Sequence, residues 1–94
     1  MARESQDRVA IVTGSGTGLG RGIAEELAEA GASVAVLEIN ADSARVAADE
    51  LARTGVEARA YPTNVAQSAQ VDESFAAVVR EFGRLDIVVN NAGI

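Results

Sequence analysis

The 94-residue sequence contains no cysteine, no histidine and no lysine, so all eight of its basic residues are arginines. Without thiol or imidazole there is no sulfur nucleophile, no histidine base and no zinc site of the Cys/His kind. Without lysine there is neither a Schiff-base amine nor the lysine that a Walker phosphate loop requires. Proline appears once, and the only aromatics are Tyr61, Phe75 and Phe82. A net charge of −6 with no basic cluster argues against nucleic acid and anionic membranes, both of which call for grouped Lys/Arg. No run approaches the ~20 apolar residues of a membrane span, and the lead Ala2-Arg3-Glu4-Ser5-Gln6-Asp7 holds no apolar signal core. Cytoplasm is the expected compartment, with no metal site and no catalytic side chain in the chain itself.

What remains is small and apolar: nineteen alanines and twelve valines supply most of the 48% hydrophobic share. The length suits one domain burying roughly 60–65% of its unfolded surface. With so few large side chains, close backbone approach must fill the core, as when helices lie flat on a sheet.

Val9-Ala10-Ile11-Val12-Thr13 is a continuous apolar run ending in glycines, the pattern of a strand covered on both faces. Helical spacing follows, with Leu19, Ile23 and Leu27 as the inward stripe and Gly31 as the stop. Ser33–Glu38 reads as a second buried strand. Asn40 or Asp42 caps a second helix, whose inward stripe is Ala44, Ala47, Ala48 and Leu51 and which ends at Gly55. Val56–Tyr61 alternates polar and apolar residues and is stopped by Pro62, which predicts a strand at the sheet margin. Ser68 caps a third helix carrying Val71, Phe75, Val78, Val79 and Phe82, closed by Gly83, and Leu85–Asn90 is the fourth strand. Strict strand-helix alternation with short connections predicts an α/β fold, a Rossmann-type parallel sheet with helices on both faces. The expected strand order is 3-2-1-4, with the first and third helices on one face and the second on the other.

Between the first strand and first helix stands Thr13-Gly14-Ser15-Gly16-Thr17-Gly18-Leu19-Gly20. In this position Gly14 permits a tight turn, Gly18 lets a pyrophosphate approach the backbone, and Gly20 lets helix and strand pack closely. The helix start offers N–H groups and a positive dipole end to an anion, and Ser15 and Thr17 can add hydroxyl donors. Three glycines at one fixed spacing arise by chance somewhere in such a chain on the order of 8% of the time, so placement carries the argument more than spacing does.

The spacing G-x-x-x-G-x-G preceded by threonine, together with Asn90-Asn91-Ala92-Gly93 after the fourth strand, resembles the short-chain dehydrogenase/reductase family, and the resemblance covers nearly the whole chain. It implies that Gly14, Ser15, Thr17, Gly18, Leu19 and Gly20 bind a dinucleotide pyrophosphate, with Asn91, Ala92 and Gly93 beside the adenosine ribose. For Asn90 and Asn91 a purely architectural role, bracing adjacent strands, stands equally open.

Glu38 ends the second strand where a carboxylate can accept hydrogen bonds from both ribose hydroxyls and would repel a 2′-phosphate. NADP-binding members of the family that the chain resembles usually carry a basic residue where Thr17 or Ile39 stands here, so NAD is the expected cofactor and NADP the less favoured one. Arg21 is near the phosphates but is equally placed to pair with Glu25. Asn64-Val65 stands where the family commonly has Asp-Val against the adenine amino group; an amide oxygen can accept the same bond.

The resemblance also implies a complete enzyme of about 250 residues that transfers hydride between the nicotinamide and an alcohol or carbonyl substrate. Its catalytic serine and Tyr-x-x-x-Lys pair would lie beyond the asparagine turn, and the lone Tyr61 has no lysine partner. The chain therefore reads as the N-terminal cofactor-binding part of such an oxidoreductase, inactive alone. The alternative is a non-catalytic nucleotide-binding or structural module. Coding sequence beyond Ile94 would favour the first and an intact cellular mass of about 9.6 kDa the second. Leu85–Asn90, apolar and without proline or lysine, is expected to pair with a second copy, giving a homo-oligomer.

Overall fold

Four strands and three helices alternate along residues 6–91, the part of the chain that the computed structural model describes. The strands are β1 Val9–Thr13, β2 Ser33–Glu38, β3 Ala58–Pro62 and β4 Ile87–Asn90; the helices are α1 Gly18–Glu29, α2 Ala41–Ala52 and α3 Ser68–Phe82. All strand pairs are parallel and the spatial order is β3-β2-β1-β4, as expected. No helix among the described residues is long and apolar enough to cross a membrane.

Burial follows position in the sheet. Every residue of β1 is buried, as are the four between Ser33 and Glu38 in β2, whereas β3 and β4 hold only half-buried and exposed positions. Central strands have cover on both faces and neighbours on both sides; the outer strands lack one or the other. β3 starts two residues later than Val56, and Pro62 is its last residue rather than its stop. As an edge strand it tolerates a residue without an N–H. β4 likewise starts at Ile87, because Leu85 packs beneath α3 and Asp86 turns its carboxylate to the start of β1.

The helices are distributed differently from the expectation. Val12, Val34 and Val36 meet Ala24 and Ala28 of α1 together with Ala44, Ala47, Ala48 and Leu51 of α2. Val9, Ile11, Ala35 and Leu37 face the other side, where Val78 of α3 packs with Phe75 and Phe82 alongside. Hence α1 and α2 share a face and α3 takes the opposite one. Handedness explains this: β1 to β2 and β2 to β3 step in the same direction, so right-handed crossovers put their helices on one face. The step from β3 back past β1 to β4 reverses direction and therefore face.

Helix α1 also turns a different stripe inward. Gly20, Ala24 and Ala28 are buried, Ile23 and Leu27 flank them half-buried, and Leu19 is 70% exposed. Tiny residues at i, i+4 and i+8 let the helix backbone approach the sheet, and the larger side chains seal the margins. In α2 the stripe is the expected one, and the cap is Asn40, whose Oδ1 accepts the Ser43 N–H at 2.9 Å. In α3 the cap position is Gln67 rather than Ser68, without a side-chain cap bond, and Val79 is 47% exposed instead of packed. Gly83 closes α3 in the left-handed conformation, as its place in the sequence predicts.

Candidate functional site

The C-terminal ends of β1 and β4 lie side by side at the point where the strand order reverses, the place at which an open parallel sheet leaves a crevice. The glycine loop fills the β1 side of it. Gly14 and Gly18 both have positive φ, 64° and 63°, a left-handed conformation that favours glycine at both turns of the loop. The Gly14 N–H donates to Leu37 O at 2.8 Å, tying the turn to the end of β2. Gly20 is required for another reason: a Cβ there would stand 2.2 Å from Gly14 O and 2.6 Å from Asn91 Nδ2. At Gly18 a Cβ would meet nothing within 4 Å, so the space above it is open.

Thr17 is the N-cap of α1. It makes no side-chain cap bond, and the first turn carries no acidic residue, so the amides of that turn keep their capacity for an external anion. Ser15 departs from its expected role as a hydroxyl donor. Its side chain is fully buried and Oγ donates to Val12 O at 2.6 Å, which leaves only its backbone to the loop surface. Arg21 is drawn away from the loop into an ion pair with Glu50 of α2, while its Nε lies 3.2 Å from Glu25 Oε1 without hydrogen-bond alignment. Of the two readings of Arg21, the structure shows the carboxylate pairing.

Glu38 bends from the end of β2 over the glycine loop. Its Oε2 accepts the Asn40 N–H at 3.3 Å, and its Cγ sits where a Cβ on Gly16 would approach to 2.7 Å. Beside it a recess of about 100 Å³ is walled by Gly14, Glu38, Ile39, Thr63, Asn64 and Val65. The loop that forms its far wall is held from within. Buried Thr63 shares a 2.7 Å hydrogen bond with Ser74 of α3, the Asn64 N–H donates to Gln70 Oε1 at 2.9 Å, and Asn64 Oδ1 accepts the Ala66 N–H at 3.0 Å. One lone pair of that amide oxygen is thus engaged in its own turn, and the other remains as an acceptor. Larger depressions, of about 500 Å³ between β3 and α3 and about 460 Å³ at the opposite strand ends near Ser33 and Gly55, are open to solvent, and neither reaches the glycine loop.

The asparagines brace the crevice floor. The Asn91 N–H donates to Thr13 Oγ1 at 3.0 Å, Thr13 Oγ1 stands 3.2 Å from Asn90 Oδ1, and Asn91 Nδ2 reaches Gly14 O at 3.4 Å. The architectural role is therefore present for both residues. Ala92 and Gly93 lie outside the described residues. Leu19, Ile39 and Val65, at 70%, 65% and 38% exposure, place three large apolar side chains in solvent around one site. Isolated exposed residues need no explanation, but Ile39 and Val65 line the recess and Leu19 follows Gly18 at the start of α1, so apolar surface beside the glycine loop suits a ligand with both apolar and anionic parts.

Sequence reasoning missed the parts played by Gly16, Thr63, Ser74 and Gln70. Gly16 carried one signal, being a glycine beyond those the turn needs. The other three are ordinary polar residues whose partners are set only by tertiary packing.

A parallel sheet of this order, with a glycine turn and a helix N-terminus at its switch point, defines a Rossmann-type α/β domain. The chain belongs to the short chain dehydrogenase family, whose family model matches residues 8–94. It is 45% identical over 87 residues to an uncharacterized oxidoreductase, YxjF, of Bacillus subtilis, matching 93% of this chain and 34% of that protein. It is similar to the structure of an NAD+-bound xylitol dehydrogenase, with TM-score 0.93 and 36% identity, over 97% of this chain and 35% of the other. It is equally similar to an L-sorbose reductase from Gluconobacter frateurii complexed with NADPH and L-sorbose, with TM-score 0.92 and 36% identity, over 100% and 36% of the two chains. The chain thus spans about a third of the length of the relatives it matches.

Proposed function

We propose that this chain is the NAD-binding N-terminal part of an oxidoreductase that, when complete, transfers hydride between a nicotinamide and an alcohol or carbonyl substrate. The observation that carries the choice of NAD is Glu38. Its carboxylate lies against the glycine loop with Thr17 and Ile39 where a basic residue would be needed, and Arg21, the cation nearest the glycine loop in sequence, is paired with Glu50. Such a site accepts ribose hydroxyls and repels a 2′-phosphate.

The residues present fit a dinucleotide. The open space over Gly18 and the uncapped first turn of α1 suit the pyrophosphate; Gly14, Ser15, Thr17, Leu19 and Gly20 shape that loop. Glu38 would take the ribose and Asn64 and Val65 the adenine side of the recess, with Asn91, Ala92 and Gly93 assigned to the ribose side by the family resemblance. The bound nicotinamide supplies the hydride carrier. The chain itself contributes binding and orientation. Its lone tyrosine does not suit proton transfer at neutral pH: burial, and then the hydrogen bond to Glu81, push the Tyr61 phenol up to about 12.

Titration calorimetry with NAD and NADP tests the reading. NAD is expected to bind more tightly, Glu38→Ser to narrow the preference, and Gly18→Val to abolish binding by filling the anion's space. Tighter binding of NADP to the unsubstituted chain overturns it. A second reading, a self-associating module acting without catalysis, is favoured by the outer edge of β4, which pairs with no strand among the described residues and leaves Val88 half exposed.

A further inference from the structure

Two glycines of the loop are crowded by different kinds of neighbour. A Cβ on Gly20 would strike backbone, the carbonyl of Gly14. The three atoms that a Cβ on Gly16 would approach most closely all belong to the Glu38 side chain: Cγ at 2.7 Å, Oε1 at 2.9 Å and Cδ at 3.1 Å. Gly16 is buried and is not among the glycines with positive φ, so a left-handed turn does not account for a glycine there. What its missing side chain makes room for is the carboxylate arm of Glu38.

We infer that Gly16 is a positioning residue for cofactor specificity, seating the Glu38 carboxylate against the glycine loop so that it accepts ribose hydroxyls and excludes a 2′-phosphate. The inference rests on the proposed reading of Glu38 and adds a second residue to it. A glutamate at a strand end has three rotatable side-chain bonds, and left to itself would spread its charge over many orientations. Here the arm is confined on one side by Gly16, and on the other Oε2 accepts the Asn40 N–H at 3.3 Å. One added methyl at position 16 must displace the arm, because its outer atoms move more readily than the loop does. The backbone remains in place while the carboxylate leaves both Gly16 and the Asn40 N–H, and the adenosine site loses its acceptor and its repulsion together.

The test uses the whole 94-residue chain, with ADP-ribose and its 2′-phosphorylated form as probes, since these engage only the adenosine side. Four proteins are compared: the unsubstituted chain, Gly16→Ala, Glu38→Ser and the double variant. Gly16→Ala is expected to keep its far-ultraviolet circular dichroism and melting temperature. It should lower the preference for the unphosphorylated probe by roughly tenfold, the scale of one lost charge-assisted hydrogen bond. The double variant should show no further loss than Glu38→Ser alone, because the methyl acts only through that carboxylate. A second readout is independent of ligand: the Asn40 amide resonance should move the same way in Gly16→Ala and in a further variant, Glu38→Ala, as the N–H loses its side-chain acceptor in both. If Glu38→Ser collapses the preference while Gly16→Ala leaves both preference and Asn40 resonance unchanged, Gly16 has no positioning role and the reading of Glu38 survives. If Glu38→Ser itself leaves the preference intact, the reading of Glu38 falls and this inference falls with it.

Discussion

The Tyr61 hydroxyl donates a 2.7 Å hydrogen bond to Glu81 Oε1, the same oxygen that Arg59 Nη1 meets at 3.2 Å. This joins the outer strand β3 to the last turns of α3, with the Arg59 guanidinium also 5.2 Å from the centre of the Phe82 ring. Because α3 is the helix observed on its face of the sheet, the bond helps fix the cover of Leu37 and Ile11.

The first prediction follows from its ionisation. Burial and the Glu81 contact push the Tyr61 phenol from its ordinary 10.0 up to about 12, so the folded chain holds this proton more tightly than the unfolded one. The stabilisation is complete below pH 10 and is lost as pH rises towards 12. Glu81 shows the opposite sign: the Tyr61 hydrogen bond, then Arg59, hold its carboxyl below its ordinary value, so its contribution is present above the usual carboxylate range and is lost as pH falls through the lowered value. Tyr61→Phe should therefore flatten the melting-temperature profile at its alkaline end and also weaken its acid limb. Parallel profiles for the two proteins would show that the hydrogen bond does not persist in solution.

Gly20 and Gly22 lie two residues apart on α1 and should respond to alanine with opposite signs. At Gly20 the methyl meets backbone at 2.2 Å, and relieving that separates the helix from β1 and from Asn91; the loss is about 1–3 kcal/mol, the range for overpacking. At Gly22 nothing stands within 4 Å and the position is exposed, so alanine should stabilise by about 0.5–1 kcal/mol through helix propensity. Urea unfolding midpoints measure both, and a shift of the same sign in the two variants is the outcome that refutes the packing argument.

Much of this was legible in the sequence, and what was not has identifiable causes. β1 and β2 carry their expected boundaries because strands buried on both faces leave continuous apolar runs bounded by glycine or charge. The α2 stripe was legible because its helical period is unbroken from Ala44 to Leu51. In α1 the period was right but the face was displaced: Leu19 is larger than Gly20, and hydrophobicity weights size, whereas the sheet selects the residues that allow closest approach. The placement of α1 with α2 required the crossover handedness to be applied to the direction of each step. At the site, Gly14, Gly18 and Gly20 were readable from spacing, since each answers a local demand of the turn. Ser15 was not, because its hydroxyl bonds back to the carbonyl of Val12 in β1, and the Gly16–Glu38 contact joins elements 22 residues apart by sequence position.

Asp86 gives a prediction at the opposite end of the sheet. Its Oδ2 accepts the Val9 N–H at 2.9 Å and Arg84 Nε at 2.8 Å, while Oδ1 takes Arg84 Nη2 at 2.7 Å; the Asp86 N–H in turn donates to Val9 O at 2.9 Å. The Arg84 side chain first, and the Val9 N–H second, hold the Asp86 carboxyl below its ordinary 3.8. A group with a lowered folded value stabilises above its unfolded value and ceases to do so as pH falls through the folded one. Asp86→Asn keeps an acceptor for Val9 but removes the titration, so its melting temperature should be lower at neutral pH and should decline less between neutral pH and pH 2. An acid limb as steep as that of the unsubstituted chain would show that other carboxylates control it.

The last prediction concerns the free side of β4. Within the described residues this strand pairs only with β1, in the register Ala10 to Ile87 through Thr13 to Asn90. Val88 is 50% exposed, and the segment Leu85–Asn90 contains no proline or lysine, the residues that commonly blunt an edge. β3, the other edge, is protected by comparison: Arg59 projects from it, Pro62 ends it, and Tyr61 is tied down by Glu81. Of the two edges, β4 is therefore the one open to a further strand. We propose that the 94-residue chain pairs through Leu85–Asn90 with a second copy across a twofold axis, which would continue one sheet into eight strands. Sedimentation velocity over a concentration series should show a monomer–dimer equilibrium. Val88→Lys, which sets a charge at the half-exposed centre of the strand, should shift it to monomer without loss of helical signal. A monomer at the highest concentration shows that the bare edge is tolerated, and growth into irregular particles with no plateau at twice the chain mass shows that the edge is sticky but does not form the symmetric pair.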